Sequence, residues 1–288
     1  MAVELRPPVD ADVEVCGRVI HDAFKDIADR HGFPPAFSSI AVGTRVARLF
    51  LGFPAIWTRV AESEGRVVGL IFLDEGDPIR GIALVAVDPA CQRRGIGRAL
   101  MRAALERARG AAGVRLVQEA YNTHAMGLYA SLGFEVKEPL TRVTGRPRGA
   151  PPGGVEVRRL AAGDLDECDR LCRRVHGITH TDDLRDALRL FKPFACVRDG
   201  RIVAYSYAVF EGHLAWGVAE TEDDMRALLT GIAAAVPDHP VAFHLPIRQA
   251  SFFGWCLGEG FRIEKPLTLM TLGEYHEPRG CYFPSGVY

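Results

Sequence analysis

The chain has 288 residues, 48% of them hydrophobic and 25% charged, with 35 Lys+Arg against 36 Asp+Glu. That composition excludes a disordered, collagen-like or coiled-coil chain, and a net charge of -1 gives no overall field to gather nucleic acid or coat an anionic membrane. The length favours two domains.

The acids in the opening MAVELRPPVDADVEVCG do not suit a signal peptide, and no apolar run is long enough to span a membrane. Seven scattered cysteines (Cys16, Cys91, Cys168, Cys172, Cys196, Cys256, Cys281) contain no C-x-x-C pair. Together these features lead us to expect a cytoplasmic protein with reduced thiols and no membrane or nucleic-acid partner.

In chain order, Val3–Arg6 alternates as a short strand. Asp12–Ala28 is a predicted helix with Val15, Val19, Ala23 and Ile27 at helical spacing and Asp12 as N-cap. A second helix covers Gly43–Phe50. Trp57–Ala61 and Arg66–Leu73 form a hairpin through Glu64-Gly65, and Gly81–Val87 is a strand apolar on both faces. Gly95–Arg109 is helical, Val114–Ala120 a strand, and Ala125–Leu132 a short helix stopped by Gly133, with a last strand from Val136.

The order then repeats. Residues 155–168, VEVRRLAAGDLDEC, resemble 3–16, VELRPPVDADVEVC, and 260–273, GFRIEKPLTLMTLG, resemble 133–145, GFEVKEPLTRVTG. The two offsets, 152 and 127 residues, make the second copy about 25 residues shorter inside. Its predicted elements are strands at Val155–Arg158, Phe194–Arg198, Arg201–Phe210, Leu214–Ala219, Val241–Leu245 and Glu264–Leu272. Its helices are Asp164–Val175, Asp223–Val236 and Ser251–Leu257. Between the copies, RPRGAPPGG (146–154) reads as a linker. The expected fold class is α/β, a mixed central sheet flanked by helices, built twice in tandem.

The chemistry-bearing segment is LVAVDPACQRRGIGR (84–98). A buried strand ends at Pro89 and enters a helix through Gln-x-x-Gly-x-Gly. Unpaired N–H groups at a helix start, with the helix dipole behind them, favour an anion, and glycine lets it approach the backbone. Arg93, Arg94 and Arg98 ring this loop. A Rossmann turn needs glycine where Leu100 stands, and a P-loop needs Gly-Lys-Ser/Thr, so neither fits. A glycine turn without a ligand stays open for the loop taken alone.

Downstream comes Asn122-x-x-Ala125-x-x-x-Tyr129-x-x-x-Gly133-Phe134. The two motifs, in this order and spacing, resemble the GNAT superfamily of acetyl-CoA-dependent N-acetyltransferases over most of residues 1–145. The resemblance implies that Val85, Ala86 and Val87 offer backbone groups to the acetyl and pantetheine arm of acetyl-CoA. It implies that Arg93, Arg94, Gly95, Ile96, Gly97 and Arg98 hold the pyrophosphate, Asn122 bonds the pantetheine arm, and Tyr129 is the general acid. A core aromatic is the alternative for Tyr129. No metal is implied.

The general base stays open. Val117 stands where some members carry glutamate; Glu119 is on the same strand face, and Glu75, Asp77, His124 or a water relay are alternatives. The resemblance implies a catalytic domain at 1–145, a linker at 146–154 and a degenerate copy at 155–288. In that copy Glu220, Glu222, Asp223 and Asp224 crowd the helix start, and Gln249 and Cys256 align with Asn122 and Tyr129.

Cys168, Cys172, His176 and His180 recur every four residues, but Gly177, Ile178 and Thr179 end the helix before His180, so a half-buried stripe is expected over zinc. GCYFPSGVY at the end adds a strand, covers a groove or frays. His31-Gly-Phe-Pro-Pro-Ala-Phe37 lines an acceptor pocket through Phe33 and Phe37 or caps the core. The implied function is acetyl transfer to a primary amine of a small molecule by a monomer or homodimer. A non-catalytic acyl-CoA-binding or regulatory module, or a structural partner, is the alternative.

Overall fold

A computed structural model describes residues 3–287 and divides them into two compact units. Met1, Ala2 and the last residue of the aromatic tail, Tyr288, lie outside the described residues. The first unit covers the chain to Leu116, then Tyr121–Phe134, with Val287; the second covers Val117–Ala120 and Glu135–Gly286.

The first unit runs β1 (Glu4–Arg6), α1 (Val13–His31), α2 (Ile40–Leu51), β2 (Ile56–Ser63), β3 (Arg66–Asp74), β4 (Ile79–Val87), α3 (Ile96–Arg107), the opening of β5 (Gly113–Glu119) and α4 (Thr123–Ser131). Its strands lie in the order β1-β2-β3-β4-β5, antiparallel up to β4 and parallel between β4 and β5. The β2–β3 turn places Glu64 (φ 54°) and Gly65 (φ 73°) in the left-handed region, the twist a two-residue hairpin needs. Helices α1 and α2 cross at a glycine pair: a Cβ on Gly43 would lie 2.3 Å from the Gly17 carbonyl oxygen.

The second unit takes the end of β5, then β6 (Glu135–Gly145), β7 (Val155–Arg159), α5 (Leu165–His176), α6 (Thr181–Leu190), β8 (Phe194–Arg198), β9 (Arg201–Tyr207) and β10 (Trp216–Ala219). It continues through α7 (Glu222–Ala235), β11 (Val241–Pro246), α8 (Ala250–Gly258), β12 (Arg262–Gly273) and β13 (Cys281–Phe283). Here the strands form one sheet β13-β10-β9-β8-β7 and a second group in which β12 lies beside the end of β5, and β6 lies between β12 and β11. Phe243, Phe252, Phe261, Phe283, Ile232 and Val143 anchor the unit's core.

The units therefore divide elsewhere than at the Pro/Gly linker between 145 and 155. Strand β6, which the repeat counts as the end of the first copy, is hydrogen-bonded on both edges inside the second unit, to β11 and to β12. A strand paired on both edges is held by its neighbours, whatever copy it came from. The linker is pinned to the same unit: Arg148 N–H donates to the Glu259 carboxylate at 2.6 Å.

The repeat is visible in local geometry. Arg6 grips the Asp12 carboxylate with both Nη atoms (2.7 and 3.0 Å), and Arg158 grips Asp164 in the same way (2.7 and 2.9 Å). Asp12 was expected to cap α1, but its carboxylate instead accepts from Val9 N–H and Arg6, and makes no cap bond to the helix. The guanidinium beside each holds Asp12 and Asp164 below the usual carboxylate range.

Elsewhere the copies depart from expectation. Helix α6 was missed, because only Leu184 and Ala187 face inward in a charge-rich stretch. Strand β9 stops at Tyr207 rather than Phe210, where Ala208 turns left-handed (φ 52°). The stripe Cys168, Cys172, His176, His180 is buried, and the two histidine rings lie against Trp216 at 4.8 and 4.0 Å. All seven cysteines are buried free thiols. Among the described residues no helix is long and apolar enough to cross a membrane.

The second unit also buries a polar layer. Glu138 is fully buried and accepts from Arg248 Nε at 3.0 Å, Arg142 pairs with Glu264 at 2.6 Å, and Lys265 pairs with Glu119. His244, on β11, shares this environment; burial first, then the positive charge of Arg142 and Lys265, push its pKa down to about 3. A histidine lowered in this way takes up protons chiefly in the unfolded chain. Its contribution is therefore complete above about pH 6.5 and is lost as the pH falls toward the folded value. Denaturant midpoints measured between pH 7 and pH 4 should fall for the natural chain, and should fall less steeply for His244→Gln.

Candidate functional site

Strand β4 keeps its register with β3 to the end, Val87 opposite Gly69, but a bulge at Ala83 interrupts it between Ile82 and Leu84. A bulge bends a strand and re-aims the groups beyond it. On its other edge, β4 pairs with β5 only from Ile79↔Gly113 to Gly81↔Arg115. That edge of residues 82–87, which includes Val85, Ala86 and Val87, lies outside the ladder. Ala86 is buried, while Val85 and Val87 are half-buried.

The chain leaves β4 through a short 3-10 turn, Pro89–Cys91, capped by Asp88, whose carboxylate accepts from Ala90 N–H at 2.9 Å. Gln92 then reaches back, donating Nε2 to the Val87 carbonyl at 3.0 Å, and so ties the loop to the strand end. Arg93 (φ 62°) and Gly95 (φ 85°) are both left-handed, which turns the chain sharply into α3. Gly95 is the N-cap and gives the helix no side-chain cap. The helical ladder begins with Ala99 N–H on the Gly95 carbonyl at 3.0 Å. The N–H groups of Ile96, Gly97 and Arg98 thus precede it.

Nothing lies within 4 Å of where a Gly95 Cβ would be, so the chain is uncrowded on that side of the turn. Gly97 meets Leu128 of α4, at 3.5 Å from its would-be Cβ. Ile96 points inward at 2% exposure, whereas Arg93 and Arg94 are exposed. Arg98 is half-buried and donates Nη2 to Ser131 Oγ at 2.9 Å, which ties the start of α3 to the end of α4. Backbone donors, a positive dipole end and cationic rim side chains together make an anion cradle.

Asn122 is the N-cap of α4, and its Oδ1 accepts from Ala125 N–H at 3.1 Å. The cap engages the carbonyl end of the side chain, so Nδ2 is the end that donates. Because the helix starts at once, Asn122 and Tyr129 stand two turns apart on one face, as the spacing predicts. Tyr129 is 7% exposed and meets Phe134 edge-on at 6.2 Å. Burial raises its phenol above the ordinary tyrosine value, so the side chain stays protonated.

The base candidates separate. Glu75 is held by Arg107 through Nε and Nη2 (3.0 and 2.9 Å), and His124 is exposed on α4. Asp77 is buried. Glu119 falls in the second unit, at 7% exposure, ion-paired to the buried Lys265, whose ammonium is lowered by burial. The aromatic pair near residue 33 also separates. Phe33 stacks on Tyr121 at 4.4 Å with His31 beside it at 5.4 Å, while Phe37 turns into the core against Phe24 at 5.0 Å. Tyr121 escaped the sequence reading, although it immediately precedes Asn122.

The second copy builds the opposite kind of helix start. Thr221 caps α7, accepting from Asp224 N–H at 3.1 Å, and Glu222, Asp223 and Asp224 fill the first turn. The Asp224 carboxylate, 3% exposed, pairs with Arg198 at 2.7 Å. Those donors and that dipole end already meet oxygen and negative charge.

Comparison with known proteins gives four findings. The acetyltransferase (GNAT) domain profile matches residues 54–136, which contain β4, the loop, α3 and α4. A mycothiol acetyltransferase of Nocardia farcinica is 39% identical over 115 residues, 38% of this chain and 34% of that protein; the match thus spans about a third of the relative's length. Among solved structures, a GCN5-related N-acetyltransferase from Sphaerobacter thermophilus has a TM-score of 0.64 at 14% identity, covering 97% of this chain and 98% of that one. A tandem GNAT protein from the clavulanic acid biosynthesis pathway has a TM-score of 0.57 at 16% identity, over 94% and 98% of the two chains. At these identities the structural likeness is one of fold.

The cradle can be tested without a ligand. Gly95→Ala should cost roughly 1–2 kcal/mol, since a side chain pays for the left-handed turn and gains no contact in the open space. Denaturant unfolding measures it; an unchanged midpoint would mean that the turn tolerates a side chain.

Proposed function

Because the chain belongs to the GNAT superfamily, we propose that its first copy transfers an acetyl group from acetyl-CoA to a primary amine of a small molecule. The observation that carries this reading is the uncapped start of α3, opened by left-handed Gly95 and with the exposed Arg93 and Arg94 beside it. A pyrophosphate is the anion of the right size and charge for several successive N–H donors. When bound, acetyl-CoA supplies an activated thioester.

The roles of the chain's own groups follow from their placement. The N–H groups of Ile96, Gly97 and Arg98 and the guanidinium groups of Arg93 and Arg94 hold the pyrophosphate. The open edge of Val85, Ala86 and Val87 takes the pantetheine arm as a strand neighbour, and a backbone N–H near Val87 polarises the thioester carbonyl. Asn122 directs Nδ2 to the same arm. The acceptor's neutral amine forms the new C–N bond as the C–S bond breaks, and Tyr129 gives its Oη proton to the departing sulfur. The amine's own proton goes to Glu119 or to water; the Glu119 carboxylate is already engaged by the Lys265 ammonium, which favours water.

The second copy is read as degenerate, and the chain accordingly as carrying one acetyl-CoA site. The Thr221 cap and the first-turn acids of α7 support this. The engaged state of Glu119 favours a second reading, an acyl-CoA-binding protein without turnover. A thiol-release assay across small amines, aminoglycosides and peptide N-termini separates the two: turnover with any acceptor excludes pure binding.

Two measurements test the residue roles. Tyr129→Phe should lower kcat by about 10²-fold while the KM for acetyl-CoA stays within about twofold. Because burial raises the phenol, the natural enzyme's rate should show no alkaline loss from this group up to about pH 10. Calorimetric titration should give one acetyl-CoA per chain; a ratio of two would remove the reading of the second copy.

A further inference from the structure

The C-terminal strand β13 lies where the repeat would put a ligand. Counted back from the strand ends, Gly217, Val218 and Ala219 of β10 stand where Val85, Ala86 and Val87 stand in β4. Ala219 pairs with Ala204 of β9 just as Val87 pairs with Gly69 of β3. Gln249 stands at the N-cap position of α8 three residues past the end of β11, as Asn122 stands at that of α4 three residues past the end of β5, but its side chain makes no cap bond to the helix.

In the second unit one extended segment occupies all of these groups. Gly217, Val218 and Ala219 pair antiparallel with Phe283, Tyr282 and Cys281. On the edge of β13 turned away from β10, Gln249 donates Nε2 to the Tyr282 carbonyl at 2.6 Å and accepts the Tyr282 N–H on Oε1 at 3.0 Å. A side-chain amide thus plays the part of a neighbouring strand. The fit is close: a Cβ on Gly217 would fall 2.2 Å from the Phe283 ring, and that ring stacks on Phe243 of β11 at 4.5 Å. Beyond β13, Gly286 N–H donates to the His213 carbonyl at 2.6 Å. Cys281 and Phe283 are fully buried.

A pantetheine arm is also an extended chain with two amides, and it can satisfy a strand edge and a side-chain amide as β13 does. The phosphate loop, by contrast, is cut: only Glu220 and Thr221 separate β10 from α7, where residues 88–95 separate β4 from α3. We propose that the groove between β10 and β11 is a second site of pantetheine class, for an extended diamide without phosphate, held shut by the chain's own C-terminal strand. The proposal rests on the reading of the first copy as an acetyl-CoA site.

The test compares the full chain with a chain ending at Arg279. Both are saturated with acetyl-CoA, and pantetheine is the probe. The full chain should bind no pantetheine. The shortened chain should bind one per chain and release it to a synthetic peptide of residues 280–288. A shortened chain that binds acetyl-CoA as the full chain does, yet takes up no pantetheine or keeps it against the peptide, overturns the proposal. Failure of the full chain to bind acetyl-CoA would count against the proposed function alone, since the pantetheine signal is read as the difference between the two chains. Should removal of the strand prevent folding, Phe283→Ala in the full chain takes its place, since it loosens β13 and leaves Gln249 and the edge of β10 intact. Loss of the ring packed on Gly217 and Phe243 should speed amide exchange at residues 281–283 by about 10-fold or more and admit pantetheine; unchanged exchange, or faster exchange without pantetheine uptake, overturns the proposal.

Discussion

A strand edge inside a protein presents N–H and C=O groups that cost free energy unless something pairs with them. Three edges of this chain meet that requirement in three ways. Strand β6 is paired by β11 on one side and β12 on the other. Strand β10 is paired by β13. Strand β4, beyond Gly81, lies outside its ladder with β5. Pairing draws β6 into the second unit and closes the edge of β10, whereas the edge of β4 beyond Gly81 stays outside its ladder with β5.

The helix starts follow the same logic. At α3 the loop ends in left-handed Gly95, so no capping side chain meets the donors and the dipole there. At α7 a threonine cap and three acids satisfy the equivalent groups. Two copies of one order of elements thus reach opposite electrostatics through a few residues: an arginine-rimmed loop in one, and an acidic first turn after a two-residue connection in the other. The chain's near-zero net charge is the average of such regions.

Much of this was legible in the residues. Glu64-Gly65 and Asp199-Gly200 mark the two hairpins, and all four residues adopt positive φ. The Gln-x-x-Gly-x-Gly segment marked the left-handed turn into α3, and the Asn122-to-Tyr129 spacing marked the helix α4. Asp12 takes the N-cap position of α1, but its carboxylate goes to Arg6 and Val9 N–H rather than to the helix, because only the fold brings the guanidinium near enough to compete. Helix α6 went unseen because two inward residues, Leu184 and Ala187, are too few to stand out among charges.

The sequence by itself determined most of the repeated order of elements, the acetyltransferase likeness of residues 54–136, and the contrast between the glycine loop before α3 and the acids that open α7. These depend on local features: periodicity, turn residues and the chemistry of one short loop. Only the tertiary structure decided where the compact units divide, what becomes of Glu119 and what the C-terminal strand covers. Each of these depends on partners far away in sequence, Lys265 for Glu119 and Gly217 and Gln249 for β13, and no local pattern can specify which distant edge or charge a group will meet.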